Sequence, residues 1–113
     1  YIGFISHDEK IAYMKNAAAL IYPSLYEGFG LPALEAIAAR TIPIVSDIPI
    51  FREIYPDIPF RFNPYSVKEL KDKIIQVYNL SSTERESIIN RNYELLDSYR
   101  LDDFKTRISN NIY

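Results

Sequence analysis

A strand-like run, two glycines and a proline-led helix follow one another without interruption in the first third of this chain. Ala19-Leu20-Ile21-Tyr22 passes directly into Pro23-Ser24-Leu25-Tyr26-Glu27-Gly28-Phe29-Gly30-Leu31-Pro32-Ala33-Leu34-Glu35-Ala36. Consecutive apolar residues suit a parallel strand covered on both faces. Gly28 and Gly30 can adopt backbone angles closed to other residues and allow a ligand close to the main chain. Pro32 suits the first helical position, because its ring presets φ and its missing N–H has no helical partner there. The N–H groups of such a helix start, with the positive end of the dipole, make a seat for an anion such as phosphate. Glu27 falls on the loop and Glu35 about one turn into the helix. Ionised carboxylates only accept hydrogen bonds, which suits both to hold sugar hydroxyls. A phosphate seat flanked by two such groups points to a sugar nucleotide.

Composition closes off several other classes. With 113 residues the chain makes one domain or part of one. Its net charge of −2 comes from interspersed acidic and basic residues, unlike the clustered Lys/Arg footprint of a nucleic-acid binder. The absence of cysteine rules out disulfide scaffolds, thiolate metal sites and cysteine nucleophiles. The longest apolar stretch, Ala17 to Pro23, is far too short to span a bilayer, and no signal-peptide pattern is present. Tyr1 opens the chain inside an apolar run, as expected of a segment with an upstream part.

Apolar strand runs alternate with helical periodicity. Ile2-Gly3-Phe4-Ile5 fits the end of a buried strand. Ser6 and Glu9 have capping-box spacing and open a helix near 8–17. The helix behind the glycine loop covers roughly 31–40, and Ile42-Pro43-Ile44-Val45-Ser46 is a second buried strand. Ile50 to Tyr55 forms a short helix, and Phe60-Arg61-Phe62 a brief strand. Ser66 and Glu69 repeat the capping-box spacing before a helix carrying Val67, Leu70, Ile74 and Val77 on one face. A further helix begins at Ser81, with Ile88, Ile89, Tyr93 and Leu96 as its stripe. Asp102 or Asp103 caps a last one. Alternating strands and helices imply an α/β fold, a partial Rossmann-like parallel sheet with helices on both faces. Ligands in such sheets bind beyond the carboxyl ends of the strands, the side on which the glycine loop leaves. Residues 1–80 then form a partial nucleotide-sugar-binding domain. Residues 81–113 supply helices that pack on it or on an upstream domain.

The run Pro-Ser-x-x-Glu-Gly-Phe-Gly-Leu-Pro-x-Leu-Glu-Ala resembles the E-x7-E signature of retaining glycosyltransferases of family 4, which have the GT-B fold. The motif glutamates are Glu27 and Glu35. Flanking segments agree in order: Gly3 at a strand end, Pro43-Ile44-Val45-Ser46-Asp47, an acidic position at Glu53, and Asn63-Pro64. The similarity covers most of residues 1–80. It implies the C-terminal, donor-binding half-domain of such an enzyme, facing a cleft shared with an N-terminal acceptor domain. It implies that Glu27, in the catalytic position, and the main chain of Gly28, Phe29, Gly30 and Leu31 contact the transferred sugar and its phosphate. By the same resemblance Glu35 holds the ribose of a UDP-, GDP- or ADP-sugar. No cofactor and no metal are implied, and a basic Arg/Lys pair upstream would balance the leaving diphosphate. A cytoplasmic location, free or at the inner face of the membrane, follows from the resemblance alone. One departure is local. The family has Gly after the motif helix, where a left-handed residue ends it, and this chain has Ala38-Ala39-Arg40-Thr41.

Other residues carry plainer readings. His7 suits a capping loop, and Ser24 has no histidine at a spacing that would activate it. Asp47, Glu53, Arg52, Arg61 and Lys68 suit caps or solvated surface as well as a ligand cleft. The ten tyrosines suit amphipathic packing better than a sugar-stacking platform, and Tyr26 beside the motif is the one best placed for the second role. The sequence therefore favours the donor half of a transferase, incomplete on its own. The alternatives are a sugar-nucleotide or phosphate-binding module without catalysis, and a fragment that docks on a partner.

Overall fold

The computed structural model describes residues 1–99. Helix α1 (His7–Asn16), strand β1 (Ala19–Tyr22), α2 (Leu31–Ala38), β2 (Ile42–Ser46), α3 (Pro49–Ile54), β3 (Arg61–Phe62), α4 (Val67–Tyr78) and α5 (Ser82–Glu94) follow in order, and a 3₁₀ helix spans Leu95–Tyr99. The three strands form one parallel sheet in the order β1-β2-β3. Ala19 to Tyr22 pair in register with Ile42 to Val45, and Val45 and Ser46 pair with Arg61 and Phe62. The α/β class and the alternation of elements agree with the sequence pattern.

Side chains alternate across a strand, so β2 divides the core in two. Ile42 and Ile44 face Phe60, Phe62 and Val77, with Leu70, Leu80, Ile88 and Ile89 packed around them. Val45 faces Ala33, Leu34, Ile37, Ile48, Phe51, Tyr55, Ile58 and Leu96. Helices α4 and α5 thus cover one face and α2 and α3 the other, with Tyr93 and Leu96 extending the second cluster. Every residue of β2 is buried.

Each helix boundary has a local cause. Ser6 and Glu9 form a full capping box on α1, and Ser81 and Glu84 do the same on α5. At α4 the box is half made. Ser66 accepts from the Glu69 N–H, but the Glu69 carboxylate accepts from the Asn63 N–H at 2.6 Å. Helix α2 ends in a Schellman turn. The Thr41 N–H donates to the Ala36 carbonyl at 2.8 Å and the Arg40 N–H to Ile37 at 3.0 Å. Arg40 is the left-handed residue, with φ 61°. Its guanidinium donates to Asn90 and lies 5.0 Å from the Tyr93 ring centre, so α5 holds the side chain in place.

Four expectations need correction. Residues 2–5 form no strand. Ile2 and Phe4 are exposed, because these residues have no ladder partner in the described structure. Strand β1 is not covered on both faces. It lies at the sheet edge, where Ile21 is exposed. Val67 and Ile74, expected on the apolar stripe of α4, are exposed; Val67 is the first residue of that helix, and of the stripe only Leu70 and Val77 pack into the cluster on β2. Pro32 is the second residue of α2 rather than the first, since Gly30 is the cap and Leu31 opens the helix. The helix expected after Asp102 or Asp103 lies outside the described residues.

Candidate functional site

The loop between β1 and α2 is built around one glycine. Gly30 caps α2 with φ 76° and ψ 43°, the left-handed region that side chains disfavour. A Cβ there would lie 2.2 Å from the Phe51 ring. Phe51 is fully buried, with its ring 5.8 Å from Tyr22 and 5.9 Å from Tyr55. The Tyr55 hydroxyl donates to the Phe29 and Gly30 carbonyls at 3.2 Å each. The buried aromatic cluster therefore fixes the path of the loop from below. Gly28 differs. Its φ lies outside the left-handed region, and a Cβ added there would meet nothing within 4 Å.

A cleft of about 460 Å³ opens where β1 hands over to α2. Lys10, Glu27, Gly28, Phe29, Gly30, Leu31, Pro32 and Glu35 line it. All six residues named by the motif thus face one space. No side chain caps the start of α2, so its dipole end opens toward that space.

The two carboxylates are held by different chemistry. Glu35, with 3% of its side chain exposed, sits 3.1 Å from the Lys10 ammonium. Burying a carboxylate is costly unless an opposite charge or donors compensate it, and α1 supplies that charge. Glu27, half-buried on the loop, accepts at Oε1 from the Tyr22 hydroxyl and from Ser24 Oγ, the latter at 3.1 Å. Burial raises the Tyr22 phenol above its ordinary 10.0, and the hydrogen bond to Glu27 and the negative charges of Glu27 and Glu35 add to the effect. That phenol stays a donor throughout the neutral range.

The residues that carried plainer readings lie elsewhere. His7 opens α1, and neither it, Glu53 nor Lys68 lines the cleft. Asp47 and Arg52 pair at 2.6 Å on the surface, and that hydrogen bond holds the Asp47 carboxyl below the usual carboxylate range. Arg61 donates to the Tyr55 carbonyl. Tyr26 is 92% exposed and is not part of the cleft wall. Among the described residues, no group of three His, Asp or Glu side chains could hold a metal ion.

Sequence reasoning left out Lys10 and Tyr22. Lys10 stands four residues before Met14, the buried residue of α1, and such spacing places both on one helix face. Tyr22 reads in sequence as one more residue of the apolar β1 run, although its hydroxyl sits at the strand's carboxyl end and donates to Glu27.

Comparison with known proteins identifies the fold's relatives. The family model for glycosyl transferases group 1 matches residues 1–95. The chain belongs to this family. The O-antigen chain mannosyltransferase RfbU of Salmonella typhimurium is 38% identical over 111 residues, covering 97% of this chain and 30% of the relative. O-antigen chain mannosyltransferase B of Escherichia coli is 35% identical over 77 residues, or 67% of this chain and 20% of the relative. A glycogen synthase of Mycobacterium tuberculosis is 46% identical over 48 residues, 42% of this chain and 12% of its own length. The chain spans at most 30% of these curated relatives. No helix among the described residues is long and apolar enough to cross a membrane.

Proposed function

We propose that this glycosyltransferase-family chain is the donor-binding part of a retaining, family 4 enzyme of GT-B architecture. In this reading it takes a sugar from a UDP-, GDP- or ADP-linked donor and passes it to a glycan, lipid or other acceptor. The observation that supports it is the convergence of Glu27, the Gly28–Leu31 main chain and Glu35 on one cleft at the start of α2. Relatives named as O-antigen mannosyltransferases make a mannosyl donor for polysaccharide assembly the first to try.

The chemistry follows from the groups present. The diphosphate sits at the α2 tip, where main-chain N–H groups and the dipole stabilise charge growing on the leaving group without having to reorganise. Glu27 accepts from hexose hydroxyls and sets the position of the anomeric carbon. Glu35 accepts from the ribose hydroxyls. The acceptor hydroxyl attacks from the face on which the diphosphate departs: the bond from the anomeric carbon to the phosphate oxygen breaks as the glycosidic bond forms, the hydroxyl proton leaves on the diphosphate, and anomeric configuration is retained. An upstream domain supplies the acceptor side of the cleft and the basic pair facing the diphosphate. The full-length enzyme works in the cytoplasm, free or at the inner membrane face, and needs no metal or other cofactor.

Calorimetric titration of the 113-residue chain with UDP, GDP and ADP tests the binding half of this reading. Saturable binding of one of them is expected, weakened roughly tenfold by Glu35→Ala through loss of charge-assisted hydrogen bonds to ribose. Binding of none, or an unchanged affinity in a folded Glu35→Ala variant, overturns it. Transfer of the sugar is expected only when the upstream domain is present; turnover by the 113-residue chain alone contradicts the division of labour.

A further inference from the structure

We infer that Tyr22 is a positioning residue, which fixes the Glu27 carboxylate and through it the orientation of the transferred sugar. The inference rests on the proposed role of Glu27 and extends it to a residue outside the motif. Glu27 occupies a loop next to Gly28, which has no side chain and whose Cβ position is open space, so nothing at that neighbouring position braces the carboxylate. Two hydroxyls do. Tyr22 and Ser24 both donate to Oε1, which satisfies that oxygen and leaves Oε2 to accept from a sugar hydroxyl.

Tyr22 is the stiffer of the two supports. It ends β1, its ring packs against buried Phe51 at 5.8 Å, and its own carbonyl accepts from Ser46 Oγ at 3.4 Å in the neighbouring strand. Ser24 also donates to the Tyr26 carbonyl at 3.0 Å, so its hydroxyl is shared. The ring thus carries the rigidity of the sheet to a carboxylate on a loop. A group placed on a rigid element keeps a binding geometry better than one on a loop alone. The chemical consequence is selective: Tyr22 affects the hexose portion of the donor and not the nucleotide.

The test compares two affinities in one protein. The 113-residue chain is titrated with the nucleoside diphosphate it prefers and with the corresponding sugar nucleotide, beginning with GDP and GDP-mannose. In the wild type the hexose adds affinity, and Glu27→Gln removes that increment. Tyr22→Phe keeps the ring and is expected to cut sugar-nucleotide affinity roughly fivefold to tenfold while leaving the diphosphate affinity unchanged. Ser24→Ala is expected to lower the same ratio by less, and it keeps the test open should Tyr22→Phe fold poorly. If both variants are folded and retain the wild-type ratio, Tyr22 does not position Glu27. If both ligands weaken equally, its role is general to the loop and the inference fails. A wild type whose hexose increment survives Glu27→Gln would instead remove the premise, a result separable from failure of Tyr22 alone.

Discussion

The two ends of α2 both carry a residue in the left-handed region, and the comparison separates conformation from space. At the start, Gly30 has φ 76° and a buried ring 2.2 Å from where a Cβ would be. At the finish, Arg40 has φ 61°, and its side chain reaches out to Asn90 and Tyr93. Glycine at the first end answers a backbone angle and a packed aromatic at once. At the second only the angle is demanding, and contacts with α5 offset its cost. The cleft end is therefore the rigid one, fixed by core packing from below. The far end tolerates exchange.

The largest effect is expected from breaking the rigid end. Gly30→Ala adds the left-handed penalty to overpacking against Phe51, together about 3 kcal/mol or more. Chemical denaturation measures it, and a loss below about 1 kcal/mol would show that the ring yields easily. Between the ends, Lys10→Met leaves the buried Glu35 carboxylate without its counter-charge. Because Lys10 keeps 32% exposure, roughly 1–3 kcal/mol of stability is expected to go, less than for a wholly buried pair; thermal unfolding of K10M beside K10R checks it. Arg40→Gly relieves a left-handed penalty of about 1–2 kcal/mol but gives up the contact with Tyr93 and the hydrogen bond to Asn90, about 0.5–1 kcal/mol each. A net change within about 1 kcal/mol of zero is expected, and a larger loss would make Arg40 a true tie between α2 and α5. Gly28→Ala should be quietest in stability, within about 0.5 kcal/mol, while reducing nucleotide affinity because the methyl group enters the cleft. Equal stability loss at Gly28 and Gly30 would mean that the loop constrains both glycines alike.

Much of this arrangement was legible in the residues because its causes are local. Strand runs, capping serines and the Gly-Phe-Gly-Leu-Pro loop act through neighbours in sequence, so β1, α2 and β2 emerged nearly in place. The stop after α2 was only half legible: the resemblance placed a glycine there, this chain has none, and the residues left open whether Arg40 takes the left-handed angle, as it does, or the helix ends another way. What stayed hidden depends on distant partners. Lys10 reaches Glu35 across 25 positions of chain, and nothing local marks that pairing. Tyr22 looked like one more apolar strand residue until the loop folded Glu27 back onto it. Ile2 to Ile5 read as a strand because apolarity was visible and the missing ladder partner was not. The edge position of β1 was hidden for the same reason: strand order is a property of the assembled sheet.

The most direct measurement is the backbone amide spectrum of the chain during titration with UDP, GDP and ADP in turn. Shifts concentrated at Gly28, Phe29, Gly30 and Leu31, with a smaller response at Lys10 and Glu35, are what a diphosphate seated at the α2 tip produces. A saturating response centred elsewhere, such as on the Ser82–Asn90 face of α5, with the glycine loop silent, would contradict it.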